Sequence, residues 1–376
     1  MAAPCDRCPD CDAALVDRGP RRRGVVEMRP AEVERVALRL ERKRCPQCGR
    51  RFEARAPGVA AKGLYGNSLL AWAAEQHYLH GAALGTLERQ TNLGRGSLVG
   101  ALARAAALVE GAVAGLVEQY RAAPVKHADE TGWRTDGRNG WAWLFATPET
   151  SIFRFRPSRA AAVAAEVLGS EPLPGVLVVD RYGAYARAPV ALQYCFAHLK
   201  RDAETAAKLF PHDREVAAFV GAWAPALSAA MRLRTLGLPP DAFARRARRL
   251  ERRLRWLADR EARHPAIWKL QAVFRDHPER LFHWTRAPAV PAENNLAERD
   301  LRPLVIARKV SFGSQSEAGA RTRETLMTVL HTLRKRGVHP ASALRAALDR
   351  LVENPRLDPA ALLFPSSPAR TTAPRN

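Results

Sequence analysis

Between Val125 and Arg201 the chain sets out three extended runs, a helix, a fourth run, a fifth, and a second helix; this order restricts the fold more than any other feature. The first run, Val125–Asp129, ends at the polar segment Glu130-Thr131-Gly132, which reads as a turn. Gly140–Ala146 and Ser151–Arg156 follow, and the alternation in SIFRFR gives the third run one buried face. The spacing predicts a helix over Ser158–Leu168, capped by Ser158 and stopped by Gly169. Gly175–Val179 is apolar without interruption and belongs at the centre of a sheet, with Leu192–Phe196 as the fifth run.

That is the order of an RNase H-like fold, in which the ends of the first and fourth strands are neighbours. Asp129 would then lie beside Asp180, the acid that closes VLVVD. A third carboxylate, Glu298, sits on a short helix opening in ENNLAERDLRP. Three such groups supply the hard oxygen ligands that a pair of divalent cations needs for phosphoryl transfer. Each acid also has a plain reading: Asp129 and Asp180 open turns, and Glu298 completes a loose capping box if Asn295 is the N-cap. Glu130 and Glu293 remain as neighbouring alternatives. Cys195 and His198 form a C-x-x-H that reads as a buried thiol with a capping imidazole, His198 being an accessory group near a scissile phosphate.

Residues 1–56 hold five of the six cysteines. Cys8-Pro9-Asp10-Cys11 and Cys45-Pro46-Gln47-Cys48 are two C-P-x-C knuckles, able to place four thiolates around one Zn²⁺ as a zinc ribbon. Cys5 makes a further C-x-x-C with Cys8, so the first pair is open between them. Residues 57–122 read as helical: Ser68–Tyr78, Ala82–Arg89, then a long helix over Ser97–Tyr120 capped by Ser97, together a helix-turn-helix-like DNA-binding region. Residues 206–287 read as a helical insertion dividing the core into 123–205 and 288–337, and Ala244–Arg263 carries nine arginines within it. That stripe is either a solvated face with i,i+4 pairs or a contact to the DNA backbone. Residues 338–376 add a last helix and a disordered tail. The fold class is therefore α+β and multidomain.

A net charge of +22 favours a polyanionic partner, nucleic acid first. No apolar run reaches the roughly 18 residues of a membrane span, and the first residues lack a secretory segment. The expected location is a reducing cytoplasm, in association with the nucleoid.

HADETGW (127–133), VVDRYGAY (178–185), CFAHLKRD (195–202), ENNLAERDLRPLVIARK (293–309) and GSQSEAGARTRETLMTVLHTLRKRGVHP (313–340) resemble blocks of the IS66 family of insertion-sequence transposases, in family order. The chain departs in placing Phe196 where that block usually carries Trp. The resemblance implies a DDE triad falling on Asp129, Asp180 and Glu298, with Mg²⁺ or Mn²⁺ as cofactor beside structural Zn²⁺. It implies double-stranded DNA as partner, both element ends and target, with a homo-oligomer on the DNA and small accessory proteins of the same element. Arg299, Arg302, Arg308 and Lys309 are expected to hold phosphates beside Glu298. The rival readings are a decayed or domesticated DNA-binding protein and a structure-specific nuclease on the same fold.

Overall fold

The computed structural model describes residues 11, 13–14, 33–48, 50–60 and 63–365. The chain forms two units, residues 1–36 and 37–376, and the second holds all the helices and strands described here. It begins with an antiparallel hairpin, β1 (Arg42–Arg44) and β2 (Arg51–Glu53), whose turn carries Cys45 and Cys48. Cys5 and Cys8 lie outside the described residues, as does the tail after residue 365.

The five extended runs form one mixed sheet: β3 (Val125–Thr135), β4 (Arg138–Ala146), β5 (Ser151–Arg156), β6 (Val176–Val179) and β7 (Ala191–Tyr194), in the order β5-β4-β3-β6-β7. β3 pairs antiparallel with β4 and parallel with β6, at the register Val125↔Val176 and His127↔Val178. The expected neighbourhood of first and fourth strands therefore exists. The turn after Asp129 does not. β3 runs straight through Glu130-Thr131-Gly132, and the hairpin turns at Asp136-Gly137, both at positive φ. Asp-Gly is a favoured pair for a two-residue hairpin, whereas the side chain of Glu130 is drawn inside as a paired strand residue.

The helices before the sheet are α1 (Asn67–Ala74), α2 (Leu84–Thr91), α3 (Arg95–Val109) and α4 (Ala112–Ala122). The long helix expected over Ser97–Tyr120 is two helices, bent by 57°. The break falls at Gly111, against which Pro359 packs closely enough that a Cβ would sit 3.2 Å from its ring. Gly94, not Ser97, is the N-cap of α3. Likewise α5 (Ala161–Leu168) starts at the N-cap Ala160, and Ser158 Oγ accepts from the Ala160 N–H just ahead of it. Gly169 does end α5, at φ +74°.

α6 (Phe196–Leu209) follows the sheet and leads into the insertion: α7 (Arg214–Leu233), α8 (Pro240–Asp259), α9 (Pro265–Asp276) and α10 (His283–Arg286). α7 reaches the length and composition of a membrane span over Arg214–Leu236, contrary to the sequence expectation. Its Val216, Phe219, Trp223 and Leu227 are nevertheless buried within the protein. The insertion leaves and rejoins the core at adjacent points. Phe196 N–H donates to Ala292 O at 2.8 Å, and the buried Gln193 of β7 donates to Leu281 O and accepts from His283 N–H. The chain then continues as α11 (Asn295–Ser311), α12 (Glu317–Lys335), α13 (Pro340–Glu353) and α14 (Pro359–Leu363). At 17 residues α11 is longer than the short helix expected, running on through Pro303.

A π-helical turn over Glu75–Leu79 was not legible in the sequence, and it turns His77 and Tyr78 toward α12. His77 Nδ1–H donates to Ala82 O, leaving Nε2 to accept from Arg323; His331 Nε2–H donates to Tyr78 O, leaving Nδ1 to accept from Arg334. Both rings are thus held neutral against arginines. Burial first, then the arginine charge, pushes His77 down to about 4 and His331 down to about 3 from 6.5. The unfolded chain binds these protons first as pH falls, so stability is intact above about pH 6.5 and is lost on acidification toward pH 4. Each histidine contributes about 1.4 kcal/mol per pH unit in that window. Urea melts at pH 7 and pH 5 should differ accordingly, and His331→Gln should flatten the difference; equal midpoints at the two pH values would contradict this packing.

Candidate active site

Asp129 lies in β3, Asp180 directly after β6, and Glu298 in the first turn of α11. The parallel pairing of β3 with β6 brings the first two together. Burial raises the Asp129 carboxyl to about 7, with Glu130, Asp180 and Glu298 each adding to the rise. All three expected acids therefore share one electrostatic neighbourhood. One oxygen of each of these two acids is used locally: Asp129 Oδ1 accepts from Glu130 N–H at 2.9 Å and Asp180 Oδ1 from Tyr182 N–H at 2.8 Å. The turn reading of Asp180 is thus real geometry, and it fixes the carboxylate's direction.

The alternatives fare differently. Glu130 is fully committed to a polar cluster on the other face of β3: Arg159 donates to Oε1 twice, at 2.6 and 3.0 Å, and Tyr185 OH donates to Oε2 at 2.6 Å. Arg159 is itself stacked over Tyr182 and Trp141. Glu293 has a buried, unpartnered Oε2 and a carboxyl raised by burial, and it lies ahead of α11 rather than in its first turn. Arg234, from the link between α7 and α8, opposes that rise, placing a guanidinium of the insertion near Glu293 and near His127.

The capping-box reading of Glu298 fails. The N-cap of α11 is Asn294, and its side chain turns away from the helix toward β3. Asn294 Nδ2 donates to Ala128 O and its Oδ1 faces His127 Nδ1, both at 2.8 Å, while its N–H donates to Cys195 Sγ at 3.1 Å. An amide that donates to a carbonyl presents its own oxygen to the imidazole, so His127 carries its proton on Nδ1. Burial pushes His127 down to about 4 and keeps it neutral. His127 and Asn294 were not singled out from the sequence. They fix the start of α11 against β3, one residue from Asp129.

Cys195 caps α6 and is fully buried; burial pushes its thiol up to about 11 against the opposing N–H groups of His198, Asn294 and Ala197. His198 Nδ1 and Glu298 Oε1 are 3.9 Å apart, and both are buried without a hydrogen-bond partner among the described residues. Orphaned buried atoms of this kind are what a ligand position looks like without its ligand.

Of the expected phosphate contacts, Arg299, Arg302 and Lys309 are exposed, and Glu298, Arg302 and Lys309 share one face of α11. Arg308 is half-buried and donates to Thr131 Oγ1 and Gly132 O, so it fastens α11 to β3. In the cysteine hairpin, the N–H groups of Cys48 and Gln47 and the Cys48 thiol hold the Cys45 thiol below its ordinary value. Cys11 and Cys48 are exposed.

Asp129 on the central strand β3 and Asp180 just after its neighbour β6 lie by a helix that presents cations beside the third acid, and comparison places the chain among transposases. The family model described as "Transposase IS66 family" matches residues 62–322. The chain belongs to the IS66 family of transposases. It is also 27% identical over 275 residues to a protein of Sinorhizobium fredii (strain NBRC 101917 / NGR234) named "Uncharacterized protein y4qI". The match takes in 63% of this chain and 50% of that relative, so the chain spans about half the relative's length.

Proposed function

We propose that the protein is a DNA transposase whose RNase H-like core cuts DNA at the ends of an insertion sequence and joins the freed 3′-OH to target DNA. The observation that carries this reading is the shared electrostatic neighbourhood of Asp129, Asp180 and Glu298. A carboxyl raised to about 7 by burial first, and then by its acidic neighbours, is unstable as an anion by itself and suited to a cation. Asp129, Asp180 and Glu298 would hold Mg²⁺ or Mn²⁺. The cations supply charge stabilisation to the attacking and leaving oxygens of a phosphodiester. The chain's own residues orient the acids: Tyr182 N–H aims Asp180, and Asn294 and Arg308 seat α11, which carries Glu298, against β3. Arg299, Arg302 and Lys309 bind the DNA phosphates alongside. Cys8, Cys11, Cys45 and Cys48 would hold one Zn²⁺ in a ribbon, supported by the N–H groups that converge on the Cys45 sulfur. The test is a strand-transfer reaction with purified protein, pre-cut element ends and Mg²⁺. Joined products support the transposase; cutting without joining indicates a nuclease, and binding alone a decayed copy.

The insertion adds a second DNA surface. Arg245, Arg248, Arg249 and Arg252 repeat at helical spacing along α8, are exposed, and have no ion-pair partner among the described residues. Trp256 continues that face, 52% exposed, with Arg253 and Arg260 against its ring. A solvated face held by i,i+4 pairs would show acids between these arginines, and only Arg255 takes one, Glu251 at 2.8 Å. Replacing Arg248 and Arg252 by Ala should weaken DNA binding and lower the salt slope of log K by about 0.9 for each DNA phosphate that is no longer neutralised. An unchanged slope would leave α8 outside the DNA interface.

A further inference from the structure

Cys195, His198 and Glu298 can each aim one ligand atom at a common point, all within 4.8 Å of one another. The three come from two places that the fold forces together: the start of α6, where Cys195 is the N-cap and His198 lies in the first turn, and the start of α11. The link is the Asn294 N–H on Cys195 Sγ and the Phe196 N–H on Ala292 O. Two of the atoms, His198 Nδ1 and Glu298 Oε1, are buried without a hydrogen-bond partner among the described residues. A thiol and an imidazole are poor ligands for Mg²⁺, which demands hard oxygens, and good ones for borderline cations. Around zinc, bonds of about 2.0–2.3 Å set tetrahedral donors roughly 3.3–3.6 Å apart. The 3.9 Å between His198 and Glu298 is within a small side-chain adjustment of that spacing.

We propose that Cys195, His198 and Glu298 form a three-ligand site for a borderline divalent cation of the zinc type, with the fourth position open to water. Metal binding displaces the Cys195 proton, because the thiolate is the ligand. Glu298 then serves two sites of opposite chemistry. When it turns to the soft site it leaves Asp129 and Asp180, so zinc acts as an inhibitor of the Mg²⁺-dependent reaction. The inhibition rests on the reading of Glu298 as a hard-metal ligand; the binding does not.

The test is the metal content of the full chain after equilibration with Zn²⁺ and gel filtration, repeated with Co²⁺ for its spectrum. Wild type should carry two equivalents, one in the cysteine hairpin region and one here. Cys195→Ser and His198→Gln should each lose one equivalent while Asp129→Asn loses none, and the Co²⁺ difference spectrum between wild type and Cys195→Ser should contain a thiolate charge-transfer band. Cys45→Ser should lose the other equivalent. Equal metal content in wild type, Cys195→Ser and His198→Gln overturns the site, and His198, being half-exposed, keeps the test valid if Cys195→Ser does not fold. In strand transfer with Mg²⁺, added Zn²⁺ should inhibit wild type at least tenfold more strongly than Cys195→Ser. Strand transfer absent under all conditions, with the metal counts as stated, would refute the transposase reading and leave the site standing.

Discussion

Asp180→Asn should abolish both cutting and joining of element ends while leaving DNA binding near the wild-type level. The amide preserves the shape of the carboxylate, and its oxygen can still accept from the Tyr182 N–H that aims it. What it loses is the negative charge that offsets a divalent cation. Removing one preorganised group that stabilises developing charge costs roughly 10²–10³-fold, and loss of a metal ligand should be at the upper end. Asp129→Asn and Glu298→Gln should behave alike. Without metal, Asp129→Asn should also stabilise the protein above neutral pH, since the Asp129 carboxyl is raised to about 7 and its ionisation there opposes folding. Glu293→Gln is the control. Its carboxylate lies ahead of α11, whereas Glu298 is in the first turn of that helix and adds to the rise of Asp129, so this variant should remain active. An inactive Glu293→Gln beside an active Glu298→Gln would reassign the third acid and undo the geometry proposed for α11.

Much of this arrangement could be read from the sequence because period and apolar continuity carry it. SIFRFR and VLVV are strands in the structure at nearly the expected bounds, and their order along the chain gave the neighbourhood of Asp129 and Asp180. The errors lie where a local signal competed with a distant partner. Glu130-Thr131-Gly132 has turn chemistry, yet β4 pairs with it residue for residue, and Arg159, 29 positions away, gives Glu130 a buried ion pair. Ser97 and Asn295 are good capping residues by type, but the helices begin at Arg95 and Asn295, with Gly94 and Asn294 as their caps. Asn294 has no local signature at all, because its value lies in contacts with His127, Ala128 and Cys195 about a hundred or more positions earlier. Arg308 shows the same limit: its hydrogen bonds to Thr131 and Gly132 of β3, about 176 positions earlier, have no local signature.

Asn294→Ala should lower strand transfer by about 10²-fold, more than its effect on stability accounts for. The side chain is fully buried and joins the start of α11 to β3 through two hydrogen bonds of 2.8 Å. Truncation leaves Ala128 O and His127 Nδ1–H buried without their partner, a cost of about 1–3 kcal/mol for each unsatisfied group. The sheet and helices on either side should survive that loss, because Arg308 still ties the far end of α11 to Thr131 and Gly132. The near end loses its register, and Glu298 sits one helical turn from it. A displacement of about 1 Å at a reacting centre is enough for a 10²-fold effect. Because Asn294 acts through Glu298, the variant should need a higher Mg²⁺ concentration for half-maximal activity, with DNA affinity unchanged. Asn294→Asp should not rescue it: a carboxylate can accept from His127 but cannot donate to Ala128 O, and it adds a fourth negative charge to the cluster. A variant that melts earlier but retains full activity per folded molecule, with the wild-type Mg²⁺ dependence, would make Asn294 a packing residue and leave the placement of Glu298 to Arg308 alone.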